Sequence, residues 1–284
     1  MWCRDSVIER AADKFSRIMD IYKYIDTHTH LYDEAFDSDL NETIDRIKEA
    51  GVSKVVFPGI DRDNFDRQSR VAALYPGFVY EAIGLHPTSV GANWRDELEF
   101  VREKLTERNG NGTDGGYMAV GEIGIDGYWS KEFIEEQKIV FKEQIMLAKE
   151  YRLPIIVHVR DAIEQVFEVL EDLGYDDIRG VFHAFSGSYE TYCRLKKYGD
   201  IKIGIGGVVT YKNAGVAKVI EKVPLTDILL ETDAPWLTPV PYRGKRNEST
   251  YIPVIAEKIA QIKGCSLEDV ARVTTSNAEK LFAI

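Results

Sequence analysis

Short runs of β-branched and apolar residues recur along this chain, separated by longer amphipathic stretches. "KVVFPG", "PIIVHV", "GVFHAF" and "DILLETD" are nearly continuous in apolar character, as strands buried on both faces of a parallel sheet should be. Strands are expected near residues 23–27, 54–59, 79–84, 117–123, 154–159, 180–185, 201–206 and 228–233. Between them, "DLNETIDRIKEAG", "KEFIEEQKIVFKEQIMLAKEY" and "DAIEQVFEVLEDLG" read as helices. In the last, Ile163, Val166, Phe167 and Leu170 follow helical spacing, and Asp161 with Glu164 spells a capping box. Eight strands alternating with eight helices predict an α/β fold, a TIM-type (β/α)8 barrel more than an open doubly wound sheet.

Two segments stand outside this alternation. Residues 1–22 read as a short N-terminal helical extension, followed by one barrel domain over 23–284. "ERNGNGTDGGY", 107–117, contains a literal GxGxxG at Gly110, Gly112 and Gly115. A dinucleotide fingerprint needs a strand before it and a helix after it. Here the order is reversed, so the segment is expected to be a connection.

Composition narrows the class without naming a function. Of 284 residues 44% are hydrophobic and 29% charged, which suits a globular domain and not a disordered chain. No apolar run approaches the roughly 20 residues of a membrane span, and the first 22 residues lack the apolar stretch of a secretory signal. Cys3, Cys193 and Cys265 are odd in number and far apart, so neither a disulfide framework nor a zinc knuckle is expected. A cytoplasmic setting, with no membrane and no obligate protein partner, fits best. The net charge of −11 argues against coating long nucleic acid through a broad basic face. A small phosphate site whose positive charge comes from metal is compatible with it.

The chemistry collects where the strands are expected to end. "YIDTHTHLYDE", 24–34, places His28 and His30 two apart at the end of the first strand. His86 follows the third strand, Glu122 ends the fourth, His158 and Arg160 the fifth, His183 the sixth and Asp233 the eighth. All five histidines of the chain are in this set. Barrel enzymes keep their active groups on that rim. Alternate residues of a strand share a face, so His28 and His30 converge, with Asp233 opposite because strands eight and one are neighbours in a closed barrel. His158 and His183 make a second pair, and Glu122 is placed to bridge. Each residue has an ordinary structural explanation when taken singly; six on one rim point to a metal site.

Four imidazoles and two carboxylates suit two divalent ions of the zinc, manganese or nickel type, with magnesium less natural for so many nitrogens. Two such ions roughly 3.5–4 Å apart would hold a bridging water and lower its pKa to give a hydroxide. With Glu122, Asp233 and that hydroxide, the site would keep a charge of about +1, enough to draw in a phosphate.

"DTHTH", "GLHP", "VGEIGID", "IIVHVRDA", "HAFSGS", "LLETDAPWLTP", "YRGKRNE" and "TTSNAEKLF" together resemble the successive signatures of the TatD-family metal-dependent hydrolases, in order from about residue 23 to the C-terminus. The resemblance implies a TIM barrel of the amidohydrolase kind with a divalent-metal site, and a deoxyribonuclease activity reported for several members. By position it implies His28, His30, Glu122, His158, His183 and Asp233 as metal ligands, and Asp233 as the base that manages the proton of the attacking water. Ala184 stands where Cys is common, and the N-terminal extension is unlike most members.

Around these residues, His86 is expected to touch a substrate phosphate or protonate the leaving group. With Asp233 and Glu122 it completes the candidate catalytic set. Arg160 shares the parity of His158 and is expected to pair with a phosphate oxygen or a neighbouring carboxylate. Asp26 is expected to support the ligands without being one. Arg243, Lys245 and Arg246 form the basic tract best placed for a phosphate backbone. Trp236, Tyr128 and Trp129 are candidates for stacking a nucleobase. The terminal "TTSNAEKLF" reads as a helix capped by Ser276 and Glu279.

The leading expectation is a DNase or phosphodiesterase acting on DNA ends or single strands. The alternative keeps the metals but cleaves amides or esters. A binding protein with a vestigial site is the third reading, and the complete ligand set speaks against it.

Overall fold

A computed structural model describes residues 23–110 and 115–284. The expected N-terminal helix over 1–22 lies outside the described residues.

Eight strands form one parallel sheet in sequence order: β1 (Tyr24–Asp26), β2 (Val52–Phe57), β3 (Val79–Ile83), β4 (Ala119–Asp126), β5 (Ile155–Arg160), β6 (Ile178–Phe182), β7 (Gly199–Ile205) and β8 (Ile228–Leu230). Each neighbouring pair is parallel, and β8 returns to β1 through short backbone links. Thr27 N donates to Leu230 O at 3.0 Å, Asp233 N to His28 O at 2.9 Å and His30 N to Ala234 O at 2.8 Å. The sheet is thus a nearly closed TIM barrel, as the alternation predicts.

The helices are α1 (Leu40–Glu49), α2 (Arg62–Leu74), α3 (Trp94–Asn109), α4 (Ile134–Glu150), α5 (Ile163–Leu173), α6 (Tyr189–Leu195), α7 (Val216–Ile220), α8 (Ile252–Lys263) and α9 (Leu267–Phe282). Their apolar faces pack on the outside of the barrel in one large buried cluster. A second cluster lies within the barrel: Ile25, Val56, Ala82, Ala119, Ile156, Val181 and Leu229, one from each of seven strands, with Ala278, Leu281 and Phe282 of α9. The last helix therefore plugs the N-terminal end of the barrel with apolar side chains and leaves the C-terminal end to polar ones. Among the described residues no helix is long and apolar enough to cross a membrane.

The Gly-rich segment connects α3 to β4, the helix-then-strand order that the sequence gives. Two caps differ from expectation. The N-cap of α5 is Ala162, without a side-chain bond, because Asp161 takes φ 51°. That conformation is not the extended one from which a capping carboxylate reaches the first turn. Ser276 lies inside α9, whose cap is Ser266, accepting from Asp269 N at 3.0 Å.

Candidate metal centre

All six residues picked as ligands meet at the C-terminal end of the barrel. His28 and His30 bring their Nε2 atoms to 3.2 Å, and Asp233 Oδ1 lies 3.7 and 3.5 Å from them. Glu122 is the hub on the other side. Its Oε2 is 3.1 Å from His28 Nε2, and its Oε1 is 2.9 Å from His158 Nδ1 and 2.7 Å from His183 Nε2. The rings of His28 and His183 stack at 3.9 Å.

Glu122 reaches this position through an irregularity in β4. The pairing with β5 shifts between Val120 and Ile123, so the side-chain alternation that starts with inward Ala119 changes phase. Glu122 and Asp126 then face the site together. The buried wall around them leaves little room elsewhere: an added Cβ at Gly204 would come within 1.9 Å of Glu231 Oε2.

Neighbouring groups fix which ring nitrogen points inward. Tyr32 donates its hydroxyl to Pro58 O at 2.7 Å and therefore accepts from His30 Nδ1 at 2.9 Å, leaving a lone pair on His30 Nε2. Asp126 accepts from His158 Nε2 at 2.9 Å, which leaves His158 Nδ1 facing Glu122. Against burial, Asp126 and Glu122 push the His158 pKa up, so the 2.9 Å approach of His158 Nδ1 to Glu122 calls for positive charge, a proton or a metal ion, between them. His86 is different. Its Nδ1 accepts from Thr88 N at 3.1 Å, so the neutral ring carries its proton on Nε2, 3.2 Å from Glu122 Oε1. It presents a donor where the other imidazoles present acceptors.

Electrostatics agree with this donor set. Burial, helped by His183, pulls His28 down to about 4. Against burial, Glu122, Glu231 and Asp233 push His183 up to about 10. Although burial opposes ionisation, the surrounding histidines hold Glu122 and Asp233 below the usual carboxylate range. The cluster combines ionised carboxylates with a demand for positive charge in a buried place. His28 Nδ1 and His183 Nδ1 are themselves buried without a hydrogen-bond partner. Among the described residues, three overlapping groups have ligand atoms close enough to share an ion: His28, His30 and Asp233; His28, Glu122 and His183; His86, Glu122 and His158. The first two have the chemistry for divalent metal; in the third, the proton on His86 Nε2 argues for a hydrogen-bond role.

Known proteins resemble this chain in architecture and sequence. The family model for TatD related DNase matches residues 25–283. The chain belongs to the TatD family of metal-dependent hydrolases. It is 40% identical over 260 residues to the uncharacterized metal-dependent hydrolase YabD of Bacillus subtilis, covering 91% of this chain and 98% of that one. The crystal structure of YjjV, a TatD homolog from Escherichia coli, superposes with a TM-score of 0.84 at 31% identity, over 93% of this chain and 99% of that one. An uncharacterized amidohydrolase from Saccharomyces cerevisiae shares the fold, with a TM-score of 0.79 at 20% identity, over 92% of this chain and all of that one. As a TatD-family member the protein is a metal-dependent hydrolase, and its histidine and carboxylate clusters are the groups that fit a metal.

The surrounding candidates divide. A cavity of about 800 Å³ opens above the cluster, and His86, Arg160, Trp129 and Trp236 line it. Arg160 lies 3.5 Å from the ring centre of Tyr128, a cation–π contact that holds the guanidinium at the mouth. Trp236 packs edge-on to His30 at 5.1 Å. The basic tract is placed differently. Arg246 donates to Asp39 through both Nη atoms at 2.7 Å, to Glu248 at 2.8 Å, and lies over the Phe36 ring. Its charge is thus matched within the protein, and it lies outside the lining of the metal cavity. Arg243 and Lys245 are exposed and stand against Tyr211 and Tyr242, outside the lining of the metal cavity.

Four supporting residues escaped the sequence reading. Tyr32 and Asp126 carried a signal, since each shares strand parity with a candidate ligand. Glu231, two before Asp233, is buried, accepts from Ala184 N and is pushed up to about 8 by burial. Asn247 is fully buried and donates to Thr232 O and Trp236 O, stapling the loop that carries Asp233. Asp26, expected as a support, accepts from His28 N and Thr232 N and so ties β1 to β8 beneath the ligands.

Proposed function

We propose that the protein is a metal-dependent phosphodiesterase that hydrolyses DNA at ends or in single strands. The observation that carries this reading is the composition of the cavity: His30, His86, His158 and His183 with Glu122 and Asp233 at the metal cluster, and Arg160 and the aromatic rings of Trp129 and Trp236 beside them. A phosphate and its flanking bases match those three kinds of surface. The formal charge of −11 favours a local phosphate site over a long duplex footprint.

In this proposal His28, His30, Glu122, His158, His183 and Asp233 hold two divalent ions of the zinc, manganese, nickel or magnesium kind. Bound there, such ions supply Lewis acidity toward the phosphoryl group and lower the pKa of a water. The protein's own groups do the rest. Asp233, the most open carboxylate of the cluster with its side chain 16% exposed, takes the proton of the attacking water. Glu122 fixes the spacing of the two histidine pairs. His86 donates its Nε2 proton as a hydrogen bond to a phosphoryl or leaving-group oxygen, its tautomer held by Thr88. Arg160 pairs with a phosphate oxygen, while Arg243 and Lys245 meet an outer phosphate of a longer strand.

The test is bond selectivity. Protein stripped with EDTA and reloaded with Mn²⁺ or Zn²⁺ is offered bis(4-nitrophenyl) phosphate and labelled single-stranded DNA, beside carboxylic ester and amide substrates. Turnover of the phosphodiesters is expected. Turnover confined to the acyl substrates would replace this reading with that of an amide or ester hydrolase.

A further inference from the structure

Beside the metal cavity lies a second one of about 420 Å³, between the β5–α5 and β6–α6 connections. Val159, His183, Ala184 and Ser186 line both, so a group in the side cavity abuts the wall that carries His183. Its volume lies in the range that holds a small ligand. Its lining differs in charge from that of the main cavity. Phe182, Phe185 and Ile163 give it apolar surface, and Gln165, Ser186 and Thr191 give it neutral hydrogen-bonding groups. Asp161 and Glu164 add negative charge, and no Lys or Arg is among the lining residues.

The uncapped first turn of α5 works in the other direction, because free N–H groups favour an anion. Asp161 and Glu164 flank that same turn and already provide its negative complement. Glu164 is also paired, at 2.9 Å, with Arg194, so the free negative charge belongs mainly to Asp161. A phosphate entering here would meet carboxylates and no Lys or Arg of the lining. A nucleoside would meet an aromatic face and neutral polar groups.

We infer that this side cavity receives the terminal nucleoside of a strand whose end is a free hydroxyl, and that it discriminates against a terminal phosphate. The inference rests on the phosphodiesterase reading. With the terminal nucleoside seated beside His183, the adjoining phosphodiester lies over the metal floor, and the strand leaves past Arg160 and the tryptophans. One water is consumed: its oxygen bonds to phosphorus, one P–O ester bond breaks, and the released alcohol takes up a proton. The strand becomes one residue shorter.

The test uses full-length protein loaded with Mn²⁺. Its substrates are bis(4-nitrophenyl) phosphate, a single-stranded oligonucleotide with hydroxyls at both ends, the same strand phosphorylated at its 5′ or its 3′ end, and a single-stranded circle. The hydroxyl-ended strand should be shortened and the circle spared. A phosphate at the consumed end should slow cleavage by about tenfold, the scale of one screened like-charge contact. In the double variant Asp161→Asn, Glu164→Gln the rate ratio between hydroxyl and phosphate ends should fall towards one. Each rate is a ratio within one protein, so a change in overall activity does not enter.

Equal rates on all linear forms, a circle cut as fast as a line, or an unchanged ratio in the double variant would overturn the inference. If that variant does not fold, the wild-type comparison of ends and circle decides alone. Turnover of bis(4-nitrophenyl) phosphate without shortening of any oligonucleotide sinks the side-cavity assignment and spares phosphodiester chemistry. Turnover of neither sinks both.

Discussion

The histidine floor and the basic tract at 242–248 both follow strand ends, and both are marked in the sequence by unusual residue types. Their surroundings separate them. On the floor, three of the five imidazoles are turned by a partner behind them: Tyr32 behind His30, Asp126 behind His158, Thr88 behind His86. Their convergence packs imidazoles against the ionised Glu122 and Asp233, a buried cluster that demands positive charge. In the basic tract, Arg246 is already neutralised by Asp39 and Glu248, and this network joins the loop after β8 to α1. A histidine pair two apart on a strand constrains its own geometry. An arginine in a loop does not reveal its partner.

Variants should widen this contrast, with the largest effects on the floor. Glu122→Gln removes the acceptor on which four imidazoles converge, and should lower kcat on the order of 10³-fold and release metal, read by elemental analysis. Asp126→Asn leaves the six ligands in place but frees the His158 tautomer. A loss of about 10–100-fold in metal affinity or activity is expected, and wild-type behaviour would show that Asp126 does not orient the ring. Arg160→Ala should raise KM for a strand by about tenfold and leave metal content alone, which separates the wall from the floor.

The smallest effect on catalysis should come from Arg246→Ala. Its cost is stability: the melting temperature should fall by about 2–4 °C for each kcal/mol lost, with KM unchanged in the folded protein. Its pH dependence follows from Asp39, whose carboxyl Arg246 holds well below the usual range. A depressed folded pKa gives stability that is complete above the unfolded pKa and is lost as pH falls through the folded one. The gap between wild type and Arg246→Ala should therefore persist down to about pH 4 and close below it. A KM increase matching that of Arg160→Ala would put Arg246 on the substrate after all.

How much the sequence disclosed follows the same division. The strands were legible because parallel strands buried on both faces read as unbroken β-branched runs, and the six candidate ligands because barrel strand ends aim at one point. Glu122 was found because the strand was expected to end near 123; β4 in fact runs on to Asp126, and the shift that turns Glu122 inward has no mark in the sequence. The cap of α5 was misread because Asp161 takes a left-handed conformation that the Asp-x-x-Glu spacing does not announce. The pairing of Arg246 was not legible because Asp39 is 207 positions away along the chain. Glu231 and Asn247 do their work by burial and backbone hydrogen bonds, which residue type alone does not disclose.

The most direct test of the account is cleavage of end-labelled single-stranded DNA by wild type and Asp233→Asn, with metal content measured on the same samples. Metal-stripped protein should be inactive. Added metal should restore a ladder in the wild type, and the variant should be slower by about 10²–10⁴-fold, the usual weight of a general base. A wild type that carries its full metal and leaves the strand intact would contradict the account, as would a variant that matches its rate.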